Sequence, residues 1–131
     1  MTDDERRDLI IYRMEKAWSS LTQVDHLIGQ NYWNLATNRM YFGCYYAVTA
    51  ILIKEGYHAS SHKGVRNKFD EHFIKTGKIS EKLGRTFSKL FQNGQAGDYT
   101  DFFDNTEKFV LEIGPETEEL IQQITLLIKE Q

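Results

Sequence analysis

The chain has 131 residues, 40% hydrophobic and 13% aromatic, which is enough to bury one core and too few for two. Sixteen Lys and Arg stand against nineteen Asp and Glu, a net charge of -3, so no global field draws the protein to nucleic acid or to an anionic membrane, and any such ligand must be held locally. One domain over residues 1–131 is expected. The single cysteine, Cys44, excludes an internal disulfide, the N-terminal stretch "MTDDERRDL" is charged, and no apolar run approaches the ~20 residues that cross a bilayer. Together these predict a cytoplasmic protein with no membrane partner.

In the first segment Ile10, Met14, Ala17, Leu21, Val24 and Ile28 fall three and four apart, one stripe of a helix that ends at Gly29. The next run is apolar on nearly every side from Met40 to Ile53, which predicts the central, most buried helix, with Gly56 as its C-cap. Ser60 or Ser61 then caps a third helix carrying Val65, Phe69 and Phe73 and stopped at Gly77. Ser80 opens a fourth with Leu83, Phe87, Leu90 and Phe91, interrupted by "NGQAG" at 93–97. Tyr99, Phe102, Thr106, Phe109 and Ile113 suggest a fifth helix. "GPETEE" marks a sixth, with Pro115 in its first position and Leu120, Ile124 and Leu127 on its inner face. No segment alternates like a strand, so the fold class is all-α, a bundle of five to six helices.

The candidate chemistry centres on "HKGVRNKFDEHF", residues 62–73. His58, His62 and His72 invite a metal, but helical ligand pairs stand four apart, whereas His62 and His72 are separated by about 15 Å along a helix axis; no metal site is expected. On an ideal helix His62, Phe69 and Phe73 point in similar directions, Arg66 lies about 40° to one side, and His72 lies about 120° from Arg66. Arg66 and His72 therefore need a neighbouring element to meet. Read alone, Lys63, Arg66, Asn67 and Lys68 form a solvated face. The cluster "YFGCYY" pairs Tyr41 with Tyr45 and Phe42 with Tyr46 on shared faces. Such a stripe serves as core, as a base-stacking platform or as an interaction face, its hydroxyls finding buried partners such as Arg39 or Asp98. Gly43 admits another helix at close range.

Three stretches, "NRMYFGCYYAVTAILIKEG", "SHKGVRNKFDEHFIKTGKIS" and "GDYTDF", resemble in order and spacing the HEPN domain family, in its small stand-alone prokaryotic branch, over roughly residues 10 to 125. The resemblance implies an up-and-down bundle built around four helices, usually a homodimer. It also implies a gene commonly paired with a minimal nucleotidyltransferase as toxin and antitoxin, and, in many members, metal-independent ribonuclease activity. The family's ribonuclease signature is an arginine, four to six residues of which the first is polar, and a histidine; Arg66, Asn67 and His72 match its letters. In the family that signature lies on a later helix facing the dimer cleft. There, relatives carry an arginine shortly before the Asp-Tyr pair, where this chain has Gly94, and no histidine follows His72.

Three roles stand as expectations, none needing a cofactor. The favoured one is a non-catalytic partner of a minimal nucleotidyltransferase that binds nucleotide, RNA or protein in a groove of Tyr41, Tyr45, Tyr46, His62, Arg66, Asp98 and Tyr99. The alternative is a ribonuclease toxin with His72 as general acid or base and Arg66 stabilising the phosphate charge. A purely structural adaptor is the third.

Overall fold

The computed structural model describes residues 1–96 and 105–130, with side chains described as far as Gly94 and again from Asn105. Helix α1 spans Asp3–Gly29. The Thr2 hydroxyl accepts from the Glu5 amide at 3.1 Å, and Asp3, Asp4 and Glu5 fill the first turn, complementing the positive end of the helix dipole. Ala17 and Val24 are buried, and Met14, Leu21 and Ile28 pack partly buried beside them, as the stripe requires. The left-handed residue of the following turn is Asn31, with φ 61°.

Helix α2, Trp33–Lys54, is the centre of the molecule. It packs against α1 and against three further helices, α3 (His62–Phe69), α4 (Glu81–Ala96) and α5 (Glu107–Lys129). Met40, Tyr41, Cys44, Ala47, Val48, Ala50 and Ile51 are all fully buried, because a helix apolar all round has no face to leave in water. At Gly43 the neighbours crowd in: a Cβ there would lie 3.3 Å from the Ala17 carbonyl oxygen and 3.4 Å from Ile121 Cδ1. Gly56, at φ 80°, closes α2 with amides of Gly56 and Tyr57 donating to the carbonyls of Ile53 and Leu52, a Schellman arrangement.

The third helix starts where Ser61 accepts from the Gly64 amide at 2.9 Å and buries Val65, Phe69 and Phe73. It is not α-helical to Gly77. From Asp70 to Ile74 it widens into a π-helical turn, with Lys75 N–H donating to the Asp70 carbonyl five residues back. This inserts a residue into the rotation and voids the 100° count beyond Phe69.

Two boundaries differ from the sequence reading. Helix α4 does not break at Asn93 but runs to Ala96, burying Leu83, Phe87 and Leu90. The expected fifth and sixth helices are one: α5 begins after Thr106, which is its N-cap and accepts from the Phe109 amide, and Pro115 lies inside it. Proline withholds an N–H from the Leu111 carbonyl and disfavours α-geometry in the residue before it through contact with that residue's Cβ. Here that residue is Gly114, which has no Cβ, and Leu111 is 51% exposed, so water reaches the chain there. Tyr99 and Phe102, the expected start of the fifth helix, lie outside the described residues. The result is an all-α up-and-down bundle without strands among the described residues. Among these residues no helix is long and apolar enough to cross a membrane.

Candidate ligand-binding groove

Tyr41, fully buried on α2, places its hydroxyl 2.6 Å from Nδ1 of His62 at the start of α3. Among the described residues the hydroxyl's partner is therefore His62 and not Arg39. Arg39 instead reaches the Ser20 hydroxyl at 3.4 Å and lies over the Phe42 ring, while Asp98, like Tyr99, lies outside the described residues. Burial, then the nearby Tyr45 and Cys44, push the Tyr41 hydroxyl well above the usual tyrosine range, against the opposing pull of the Arg66 guanidinium. Tyr41 is thus an O–H donor throughout the physiological range.

His62 is held from its faces as well as its edge. The Tyr45 ring stacks on it with centroids 4.3 Å apart and planes 14° apart, and Phe42 meets it edge-on at 6.1 Å. Tyr46 joins the same layer through Phe42 and Tyr45. One turn along α3 from His62, the Arg66 guanidinium lies 4.6 Å from the centroid of the Phe91 ring on α4, and Phe91 meets Tyr41 edge-on. The chain thereby brings Tyr41, Tyr45, Tyr46, His62 and Arg66 into one neighbourhood between α2, α3 and α4.

His72 belongs to a different cluster. Its ring stacks on Tyr57 with centroids 3.7 Å apart and planes 9° apart, and its Nε2 lies 3.6 Å from a carboxylate oxygen of Glu71. No hydrogen bond or ion pair joins it to Arg66 among the described residues. An ideal α-helix already sets the two about 120° apart, and the π-helical turn further changes the rotational phase of everything after Phe69. Among the described residues no group of three or more His, Cys, Asp and Glu side chains is placed to hold a metal ion.

Phe91 and Tyr57 are the contributors that sequence reasoning missed. By its spacing Phe91 reads as plain core, and Tyr57 sits in a loop whose composition carries no signal. Gly94 is explained by packing: a Cβ on it would lie 2.6 Å from Tyr41 Cβ, so at this place α4 rests directly on the groove's buried tyrosine. The start of α5 is tied to α2 by Asn34, whose side-chain oxygen accepts from both the backbone and side-chain amides of Asn105 at 2.7 and 3.0 Å, and the end of α4 is tied to α2 by Asn38, whose side-chain amide donates to the Gly94 carbonyl at 3.4 Å.

Comparison with known proteins agrees with this architecture. The chain is 29% identical over 127 residues to "UPF0332 protein" of Thermotoga maritima, an alignment covering 97% of this chain and 96% of that one. It is 29% identical over 86 residues to "Putative toxin MJ0142" of Methanocaldococcus jannaschii, covering 66% of this chain and 58% of that one. The HEPN domain model matches residues 11–127, nearly the whole bundle, and the chain belongs to the HEPN domain family.

Proposed function

We propose that this protein is a non-catalytic HEPN partner of a minimal nucleotidyltransferase in a toxin-antitoxin-like pair, a cytoplasmic homodimer whose groove beside α2 and α3 holds nucleotide or RNA. The observation that carries this reading is the division of labour along residues 62–73. Arg66 forms no ion pair among the described residues and lies beside the Tyr41, Tyr45 and His62 cluster, whereas His72 is engaged with Tyr57 and Glu71. Cleaving RNA without a metal requires a proton carrier and a cation at one scissile phosphate. Binding a phosphate-bearing ligand requires only a cation, donors and a ring to stack on. The toxin designation in the name of the Methanocaldococcus jannaschii relative supports the toxin-antitoxin setting.

The test is to incubate the protein with a structured RNA in excess chelator and, separately, to measure anisotropy of a labelled RNA and a labelled adenine nucleotide at low and high salt. The expected outcome is intact RNA and measurable binding of at least one probe that weakens with salt and with Arg66→Ala. Light scattering at micromolar concentration is expected to give twice the 15.4 kDa chain mass. Robust chelator-resistant cleavage that disappears in both Arg66→Ala and His72→Ala would replace this reading with the ribonuclease one.

A further inference from the structure

The hydrogen bond between Tyr41 and His62 has a direction that burial decides. Tyr41 is fully buried, and its hydroxyl has one polar partner among the described residues, Nδ1 of His62 at 2.6 Å. Were Nδ1 to carry the proton, the hydroxyl hydrogen would be left in the core without an acceptor, which buried groups avoid. The hydroxyl therefore donates to Nδ1, and the neutral imidazole carries its own hydrogen on Nε2. Stacking on Tyr45 holds the ring plane, so this N–H has a set direction. Among the described residues Nε2 has no hydrogen-bond partner, and it is not among the buried polar atoms left without one, so it is not sealed in the core.

One helical turn away, four residues on, stands Arg66. Its guanidinium rests on Phe91, pairs with no carboxylate among the described residues, and lies near enough to act on the Tyr41 hydroxyl. Among the described residues the cluster thus offers an N–H donor that is not sealed in the core and a planar cation without an ion pair, and none of these members is a carboxylate. This donor set suits a phosphoryl oxyanion and repels a metal ion.

We infer that His62 Nε2–H and Arg66 form a phosphate-binding site, and that Tyr41 is the positioning residue that sets the imidazole tautomer for it. This rests on the reading that the groove takes a nucleotide or RNA, and narrows it to the group that is gripped.

The test reads the imidazole nitrogens directly. In nitrogen-15-labelled protein above the ordinary imidazole titration range, His62 is expected to show the Nε2–H tautomer. Adding inorganic phosphate, and in a second arm adenosine 5′-monophosphate, should shift the His62 Nε2–H and Arg66 Nε–H signals saturably. Tighter binding of the monophosphate identifies a nucleotide as the source, and equal binding identifies free phosphate. Tyr41→Phe, which keeps the buried ring, should mix the tautomers and weaken phosphate by about three- to tenfold with the fold intact by circular dichroism. Arg66→Ala should weaken it by about tenfold or more while leaving the tautomer unchanged.

An Nδ1–H tautomer in the parent protein would overturn the inference, as would the absence of saturation in the millimolar range or equal phosphate affinity in the parent and Arg66→Ala. The two readings fail separately. Chelator-resistant RNA cleavage defeats the non-catalytic reading and leaves the phosphate site standing, whereas loss of the tautomer or of the phosphate response defeats the site alone.

Discussion

Replacing Gly94 with alanine sets two physical effects of opposite sign against each other. By helix propensity alone the variant should gain about 0.5–1 kcal/mol, because glycine inside a helix costs backbone entropy that alanine does not. Packing says otherwise. The new Cβ would lie 2.6 Å from Tyr41 Cβ, 3.1 Å from the Thr37 carbonyl oxygen and 3.3 Å from Tyr41 Cγ, whereas carbon atoms in contact prefer about 3.5–4.0 Å. The obstructing atoms are a Cβ and a main-chain oxygen, not the tip of a flexible side chain, so the end of α4 must lift from α2. Overpacking of this kind costs about 1–3 kcal/mol, leaving a net loss of about 1 kcal/mol at the middle of the two ranges. Tyr41 moves with it, and so does the hydrogen bond to His62. In urea denaturation the midpoint should fall with an unchanged slope, and the imidazole signals of His62 should broaden or mix tautomers. A Gly94→Ala protein as stable as its parent, or more so, would refute the claim that this glycine is required by the approach of the two helices.

Ile51 is fully buried at the centre of α2; Ile51→Ala should cost about 2–5 kcal/mol, and a loss below half a kcal/mol in chemical denaturation would contradict its place in the core. Pro115→Ala restores the N–H that the Leu111 carbonyl lacks inside α5, and should raise stability by about 1–2 kcal/mol after allowing for the greater entropy of the unfolded chain; a lower urea midpoint would count against it. Burial pushes the Cys44 thiol far up, as it does, together with Tyr45 and Cys44, the Tyr41 hydroxyl. The fold therefore keeps both neutral while the unfolded chain ionises above about pH 8.5 and about pH 10. Their stabilisation is full below those values and is lost as pH rises past them, so the midpoint should fall between pH 7 and pH 10, less steeply in Cys44→Ala than in the parent. Parallel slopes for the two proteins would refute the thiol's part.

What the sequence displays and what it hides divide by the range of the interaction responsible. The burial of α2 is legible because its apolar residues from Met40 to Ile53 leave no side for water, and the stops at Gly56 and Gly77 are legible because both residues adopt positive φ. These are properties of neighbours in the chain. "GP" at 114–115 reads locally as a helix start, and only the continuous buried face from Val110 and Ile113 to Thr117 and Leu120 shows α5 passing through it. "NGQAG" reads as a break for the same reason, although Gly94 serves a contact with a residue far back on α2. The π-helical turn is hidden because one extra residue in a turn leaves composition unchanged while re-aiming His72 toward Tyr57.

The groove is hidden most deeply, since Tyr41 by periodicity is a core tyrosine and His62 a border histidine, and each has a bland explanation alone. Their functional meaning arises when a fully buried hydroxyl with no other acceptor among the described residues comes within 2.6 Å of an imidazole nitrogen. The hydroxyl must donate there, and the hydrogen left to the ring must then face outward beside Arg66. It is the unmet need of a core residue, and not the position of the histidine itself, that turns an ordinary helix border into a candidate site.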